Sequence, residues 1–497
     1  MAMLHFGNAH ARTHPFARLG WALWLSLWLL AVVTPVADGA AACTTLTSEH
    51  QRFGFNFSRD GGQTLTAYDP APLHAGWYLD YTYTDQPVRA ADLEFIQIVR
   101  SATWRSPTFT ATLTSAVTAN PGVLWLAGNE PDRRGQDNLI PTEYAAFYHQ
   151  VYQLIKGLDP TAQVAIGGVV QPTPLRLRYL DMVLAEYARR YGTALPVDVW
   201  NVHAFILPEN YIWGAAIPPG LDAYADEGMQ YGANDHDNMT IFMQNIRAMR
   251  QWMAARGQRD KPLIVSEYGI LLSPRHGFDY TRVRTFMLAT FDFFRTATDA
   301  NSGYPADGNR LVQRWSWFSL NAEPWNPQTG NGFNGNLYNP TTFQREPLGQ
   351  DFIDYVAPLV TPTVDLMVAD LRLDPPTQLI SATAPVRATV TVRNAGSVTA
   401  RDVVVQLWQG DPASGGSLIA ESTAFFTVAP GCNQTIPTAF EWQPTGWLPG
   451  NYTLFAQVRS QQNTPPDSNP TDNQQTALFL YLERPLTVNL YLPQIER

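Results

Sequence analysis

The sequence predicts a (β/α)8 barrel followed by an all-β sandwich. Short β-rich runs alternate with helical stretches from about residue 52 to 360, the pattern of parallel strands with helical crossovers. Eight such runs fall in about 300 residues, the number a closed barrel needs. A doubly wound sheet is the competing architecture. It would bring a glycine fingerprint for phosphate between a strand and a helix, and none stands there. After about residue 362 helical periodicity gives way to alternating stretches separated by Asn394-Ala-Gly396 and Gly410-Asp411 turns, the pattern of a small sandwich.

In chain order, the first element is a leader. Arg12 and Arg18 precede an apolar run from Trp21 to Val33, and small residues follow up to Ala42. This is the pattern of a secretory signal peptide over residues 1–42. The run is short for a bilayer span of about 20 residues, and an uncleaved anchor is the alternative. Cys43 follows three alanines and could be lipidated, but Ala40 stands where that signal usually has Leu. The expectation is a secreted or cell-surface protein with no membrane span in the mature chain.

The barrel is placed at residues 50–360, with strands at 53–57, 76–81, 95–100, 123–127, 164–168, 197–203, 262–267 and 312–318. One crossover helix is legible in detail. Pro141 suits a first turn and Gly157 a C-terminal cap, while Tyr144, Phe147, Val151, Leu154, Ile155 and Leu158 recur at three and four residues. The sandwich is placed at 363–482, with strands at 386–393, 403–408, 452–458 and 476–480. A tail, 483–497, reads as a further strand.

Composition excludes several functions. The 497 residues are 45% apolar and 15% charged, ample for a large core and wrong for disorder. Lys and Arg number 33 against 43 Asp and Glu, a net charge of -10, so nucleic acid is not an expected partner. Two cysteines, Cys43 and Cys432, support neither a disulfide framework nor a four-cysteine zinc site. Aromatic residues reach 12%, which suits either a large core or faces for sugar rings.

Working residues of a parallel barrel sit at the C-terminal ends of its strands. The fourth strand ends in Gly128-Asn129-Glu130-Pro131, and the seventh in Ser266-Glu267-Tyr268-Gly269. Two carboxyls at two strand ends are what glycosidic cleavage needs: one protonates the departing oxygen, the other attacks the anomeric carbon or activates water.

With those motifs in that order, the barrel resembles the clan A glycoside hydrolases. The resemblance covers about residues 52–355. It implies Glu130 as acid/base, Glu267 as nucleophile, and Asn129 as a ligand of the sugar 2-hydroxyl. His203 resembles the clan's sixth-strand histidine. Trp315 and Trp317 resemble the eighth-strand tryptophan that floors the sugar site; two residues apart, they share one side of a strand. Asn56, Arg100 and Tyr268 are further candidates at strand ends, to meet substrate hydroxyls or orient a carboxyl. Capping, ion pairing and packing are the structural alternatives for all of them. Asp235-His236-Asp237 has metal-ligand composition but no ligand spacing and reads as loop. The long connection 205–238 carries Tyr211, Trp213, Tyr224 and Tyr231, as sugar subsites or as self-packing.

Residues 390–396 and Asp467-Ser-Asn-Pro-Thr-Asp472-Asn473 are similar to the CARDB-type bacterial adhesion domains. That family implies an immunoglobulin-like accessory module, either a spacer or a point of cell-surface or glycan attachment. The whole reads as an exported retaining glycosidase acting on a carbohydrate, with neither metal nor organic cofactor implied, and with Glu130 raised in pKa to hold its proton. A non-catalytic glycan-binding surface protein or adhesin is the alternative.

Overall fold

Alternating side chains divide each barrel strand between two cores. On β5 (Leu124–Asn129) Leu124 and Leu126 point inward, while Trp125 and Ala127 point to the helices. The inner core also takes Trp77, Leu79, Ile96, Ile98, Ala165, Val199 and Ile264. The outer core, between strands and helices, is larger and rich in aromatic rings. The computed structural model describes residues 48–88, 93–374, 379–381, 385–428, 431–461 and 465–482. The leader, Cys43 and the expected tail strand lie outside them. No helix among the described residues is long and apolar enough to cross a membrane.

The eight expected barrel strands are present. They are β1 (Phe53–Asn56), β2 (Trp77–Leu79), a third strand in two pieces, β3 (Glu94–Phe95) and β4 (Gln97–Val99), then β5, β6 (Gln163–Gly168), β7 (Trp200–His203), β8 (Leu263–Tyr268) and β9 (Arg314–Trp317). All neighbouring pairs are parallel. The third strand breaks at Ile96, so that β3 pairs with β2 and β4 with β5. The ring closes between β6 and β7 through bridges at Ala165–Val199 and Val169–Val202. Inside it, Arg314 reaches Glu94 at 2.8 Å, both buried.

The crossovers are α1 (Ser101–Trp104), α2 (Phe109–Ala119), α3 (Pro141–Leu158), α4 (Pro174–Tyr191), α5 (Met239–Ala255), α6 (Tyr280–Thr296) and α7 (Pro347–Val356). α3 starts at the expected Pro141 and buries Tyr144, Phe147, Val151 and Ile155. Gly157 is not its cap. It lies in the last turn, and Asp159 ends the helix in an extended conformation.

The sandwich packs two sheets around Val390, Val392, Val403, Val405, Leu407, Leu454, Ala456 and their neighbours. One sheet is β10 (Leu366–Asp374), β12 (Val386–Asn394) and β16 (Gly431–Trp442). The other runs β11 (Leu379–Ser381), β18 (Gln474–Leu482), β17 (Gly450–Ser460), β13 (Ala400–Gln409) and β14 (Ser417–Glu421), with β15 (Phe426–Val428) also on β13. β16 escaped the sequence reading because Pro437 stands inside it. Pairing with β12 alone, β16 is an edge strand, and an edge tolerates proline. The Gln51 amide donates to the carbonyls of Ala395 and Gly396, tying the barrel to a sandwich turn.

Candidate active site

Three strand ends converge. Glu130 follows β5, His203 ends β7 and Glu267 is the penultimate residue of β8. One ligand atom from each lies within 4.8 Å of the other two. His203 Nδ1 is 3.1 Å from Glu130 Oε1 and 3.9 Å from Glu267 Oε2, so the imidazole sits between the carboxyls. Glu130 and His203 are almost fully buried, and Glu267 keeps slightly more access to solvent. The His203 ring fits because β6 carries Gly168 beside it: a Cβ there would stand 2.5 Å from the imidazole.

Two further side chains complete the group. The Tyr81 hydroxyl donates to Glu267 Oε2 at 2.9 Å. Arg133 Nη1 donates to Glu130 Oε2 at 3.0 Å. Both Tyr81 (φ 64°) and Glu130 (φ 45°) hold left-handed backbone, which costs a non-glycine residue roughly 1–3 kcal/mol and gathers at functional sites. The turn at Glu130 folds Arg133 back onto it, with Arg133 N–H donating to Glu130 C=O at 3.1 Å.

This surrounding sets the charges. Burial alone would push the Glu130 carboxyl up. The hydrogen bond and charge of His203, and then Arg133, outweigh it and hold Glu130 down to about 2. Burial pushes Glu267 up, and the Glu130 carboxylate adds to that against the pull of His203 and the Tyr81 hydrogen bond. Burial would lower His203, but the carboxylates of Glu267 and Glu130 raise it. The expected raised Glu130 is therefore corrected. In this arrangement it is the ionised partner, because both its oxygens accept from cationic donors.

The other expected residues divide. Asn129 ends β5 directly before Glu130, with its backbone N–H donating to Asp137 Oδ2 at 2.8 Å. Arg100 does orient a carboxyl, but that of Asp137, at 2.7 Å; it positions the loop after β5 and does not reach Glu130 or Glu267. Asn56 is fully buried inside the barrel, donating to Ser266 C=O and accepting from Ser316 Oγ. It has no surface for a ligand.

Tyr268, Trp315 and Trp317 are corrected outright. All three are fully buried in the outer core, facing the helices. Trp315 packs on Phe53 and Phe294, Trp317 on Tyr268, and Trp317 Nε1–H donates to Gly335 C=O. The alternation of β9 decides this: the inward positions are Arg314 and Ser316. Phe318, after the strand, instead joins Phe205, Leu207, Val170 and Tyr81 in a small cluster of its own.

The long β7–α5 connection is pinned from below. His236 is buried, with Nδ1 on Ile206 C=O and Nε2 accepting from Leu271 N–H, and Asp237 pairs with Arg282. His236 is therefore a buried pin of the connection and not part of a solvated loop. A fully buried group, Arg176 with Asp132 at 3.0 Å and Glu209 at 3.4 Å, joins this loop to the turn after Glu130. Tyr211 and Trp213 are exposed near that turn, with Arg134 over the Tyr211 ring. Tyr224 and Tyr231 pack against the outer core.

The Glu130, His203 and Glu267 atoms have the composition and spacing of a divalent cation site, although Arg133 brings a competing positive charge to it. Tyr81 and Arg133 were missed from sequence. Tyr81 closes an expected strand, so the strand-end rule applied to it. Arg133 gave no signal, since only the left-handed turn brings it back.

No family model matches the chain, and no curated protein matches it. Among solved structures, the chain is similar to a GH128 (subgroup II) endo-beta-1,3-glucanase from Sorangium cellulosum. That match has 16% identity and a TM-score of 0.40, and covers 61% of this chain and 97% of that one. It is similar to a beta-glucuronidase from Bacteroides uniformis at 11% identity and a TM-score of 0.37, covering 87% and 46%. The sandwich region is similar to a CARDB domain from Pyrococcus furiosus, in complex with di-metal ions, at 20% identity and a TM-score of 0.20, covering 24% and 90%.

Proposed function

We propose that the barrel is a retaining glycoside hydrolase that cleaves O-glycosidic bonds of an oligo- or polysaccharide by double displacement. The observation that carries this is the spacing of the two carboxyls, whose oxygens approach within 4.8 Å. Retaining enzymes hold their carboxyls about 5–5.5 Å apart, whereas inverting ones leave about 6.5–9.5 Å for a water. The leader pattern supports export.

Glu267 is the nucleophile and Glu130 the acid/base. The site's proton rests on the imidazolium of His203. When a sugar enters and Arg133 swings away, Nδ1 passes that proton to Glu130 Oε1 across 3.1 Å. Glu267 then attacks the anomeric carbon, its charge steadied by the Tyr81 hydroxyl. The bond to the glycosidic oxygen breaks, and Glu130 protonates the leaving alcohol. In the second half Glu130 takes a proton from water, the oxygen attacks the same carbon, and the ester to Glu267 breaks. Two carboxyls and the histidine account for every proton.

One observation favours the second reading, a non-catalytic glycan binder. A carboxylate paired on both oxygens accepts sugar hydroxyls but donates no proton. The test is turnover on a panel of aryl glycosides and polysaccharides, with Glu267→Gln in parallel. Turnover that the substitution abolishes supports the hydrolase. Sugar binding without turnover, unchanged by the substitution, supports the binder.

A further inference from the structure

We propose that the start of the sandwich holds a calcium site, built from Asp365 just before β10 and from Asp467, Asp472 and Asn473 in the loop between β17 and β18. Asp365 is 8% exposed. Its Oδ1, the Oδ1 of Asp472 and the Oδ1 of Asn473 are each buried without a hydrogen-bond partner. The orphan oxygens belong to segments held against each other. Val364 pairs with Asp467, Ser468 N–H donates to Val364 C=O at 2.8 Å, and Val368 N–H donates to Asp472 C=O at 3.2 Å.

Part of the cluster is tied by hydrogen bonds. Asp467 Oδ2 accepts from Leu366 N–H and from Asn473 Nδ2, which spends the Asn473 nitrogen and leaves its oxygen bare. Asn469 Nδ2 takes the other oxygen of Asp472 at 2.7 Å. The three carboxylates act on one another electrostatically. The ion pairs formed within the sandwich lie elsewhere, Arg372 with Asp370 and Arg459 with Glu421.

Buried polar oxygens are normally paired, and buried charges are paired or coordinate a metal. Here the donors are oxygens only, from three carboxylates and an amide. That set suits a hard cation, and a flexible one of mixed carboxylate and amide oxygens suits calcium better than magnesium. Among the described residues only Glu130, His203 and Glu267 bring three such acidic or imidazole ligand atoms within 4.8 Å of one another, so the proposed site requires the aspartates to draw together around the ion. Asp467, Asp472 and Asn473 are partly exposed, which leaves them room to adjust, whereas Asp365 is buried. Bound there, the ion would staple the segment that leaves the barrel to a loop of the sandwich.

The test uses the full chain, treated with chelator and dialysed, then titrated with CaCl2 to about 5 mM, the upper range for extracellular modules. Calorimetry should show one saturable site. Thermal unfolding of the sandwich should shift upward by roughly 3–10 °C. Asp472→Asn should abolish both responses. Its calcium-free midpoint should equal or exceed that of the unsubstituted protein, because one of three like charges is gone. Asp365→Asn gives the same readout if Asp472→Asn does not fold. Glu267→Gln should keep the full response, which separates this site from the barrel cluster. Three results would overturn the proposal: neither heat nor shift in the unsubstituted protein, an undiminished response in the aspartate variants, or a larger shift with MgCl2.

Discussion

Replacing Arg133 by Met keeps an unbranched apolar stem and removes one charge 3.0 Å from Glu130 Oε2. At an effective dielectric near 20, a unit charge about 4 Å away is worth about 4 kcal/mol, or roughly 3 pKa units. The Arg133 side chain is 32% exposed, so solvent screens part of that; about 1–2 units is the working expectation. The sign follows from the proton's position. A carboxyl that loses a cationic neighbour is a weaker acid and needs higher pH to ionise. Double displacement needs the one proton that His203 holds and passes to Glu130, and removing the Arg133 charge strengthens the hold of both groups on it, so activity falls as pH rises past the loss of that shared proton. The basic limb of kcat/KM should therefore move about 1–2 pH units to higher pH in Arg133→Met, whatever happens to its height. The assay is kcat/KM across the acidic, neutral and basic range on the best substrate of the panel, both proteins side by side. A basic limb that stays in place, or moves to lower pH, would refute the account of how Glu130 is held ionised.

Tyr81→Phe removes the 2.9 Å hydrogen bond to Glu267. A bond to a charged group is worth about 1.5–3 kcal/mol. Steady-state kinetics should show kcat reduced about 10- to 150-fold with KM little changed, and a change in KM alone would count against it. Trp315→Ala should cost about 3–5 kcal/mol of stability in denaturant unfolding, as for a fully buried tryptophan. Lost sugar binding with unchanged stability would restore Trp315 to the site. Arg176→Met strands Asp132 and Glu209 without their buried cation. A loss of about 3–5 kcal/mol is expected, and unaltered unfolding would show the group to be dispensable.

The barrel was legible because its strands are continuous apolar runs that end in distinctive residues. The convergence of Glu130, His203 and Glu267 followed from that: parallel strands in a closed ring bring their C-terminal ends to one mouth. What the sequence hides is which way a side chain at a strand end faces. Trp315 and Trp317 share a face, as their spacing requires, but Arg314 and Ser316 hold the inside, so the face is the wrong one for sugar. Asn56 was read at the correct strand end and lies one layer too deep. The charge state of Glu130 was out of reach for a related reason. It depends on a left-handed turn that returns Arg133 to it, and on which imidazole atom lies nearest. In the sandwich, strands of clean alternation were found, whereas β16 was hidden by its proline and β10 by charged residues at its exposed end.

The central claim is that Glu267 becomes covalently bound to sugar. A 2-deoxy-2-fluoro glycoside with an activated leaving group, matched to the substrate found on the panel, slows the second displacement and lets the ester accumulate. Mass spectrometry of the digested protein should then place one sugar on the peptide that contains Glu267, and Glu267→Gln should take up none. Turnover of the same sugar with inversion at the anomeric carbon, or label on Glu130 instead, would contradict the account.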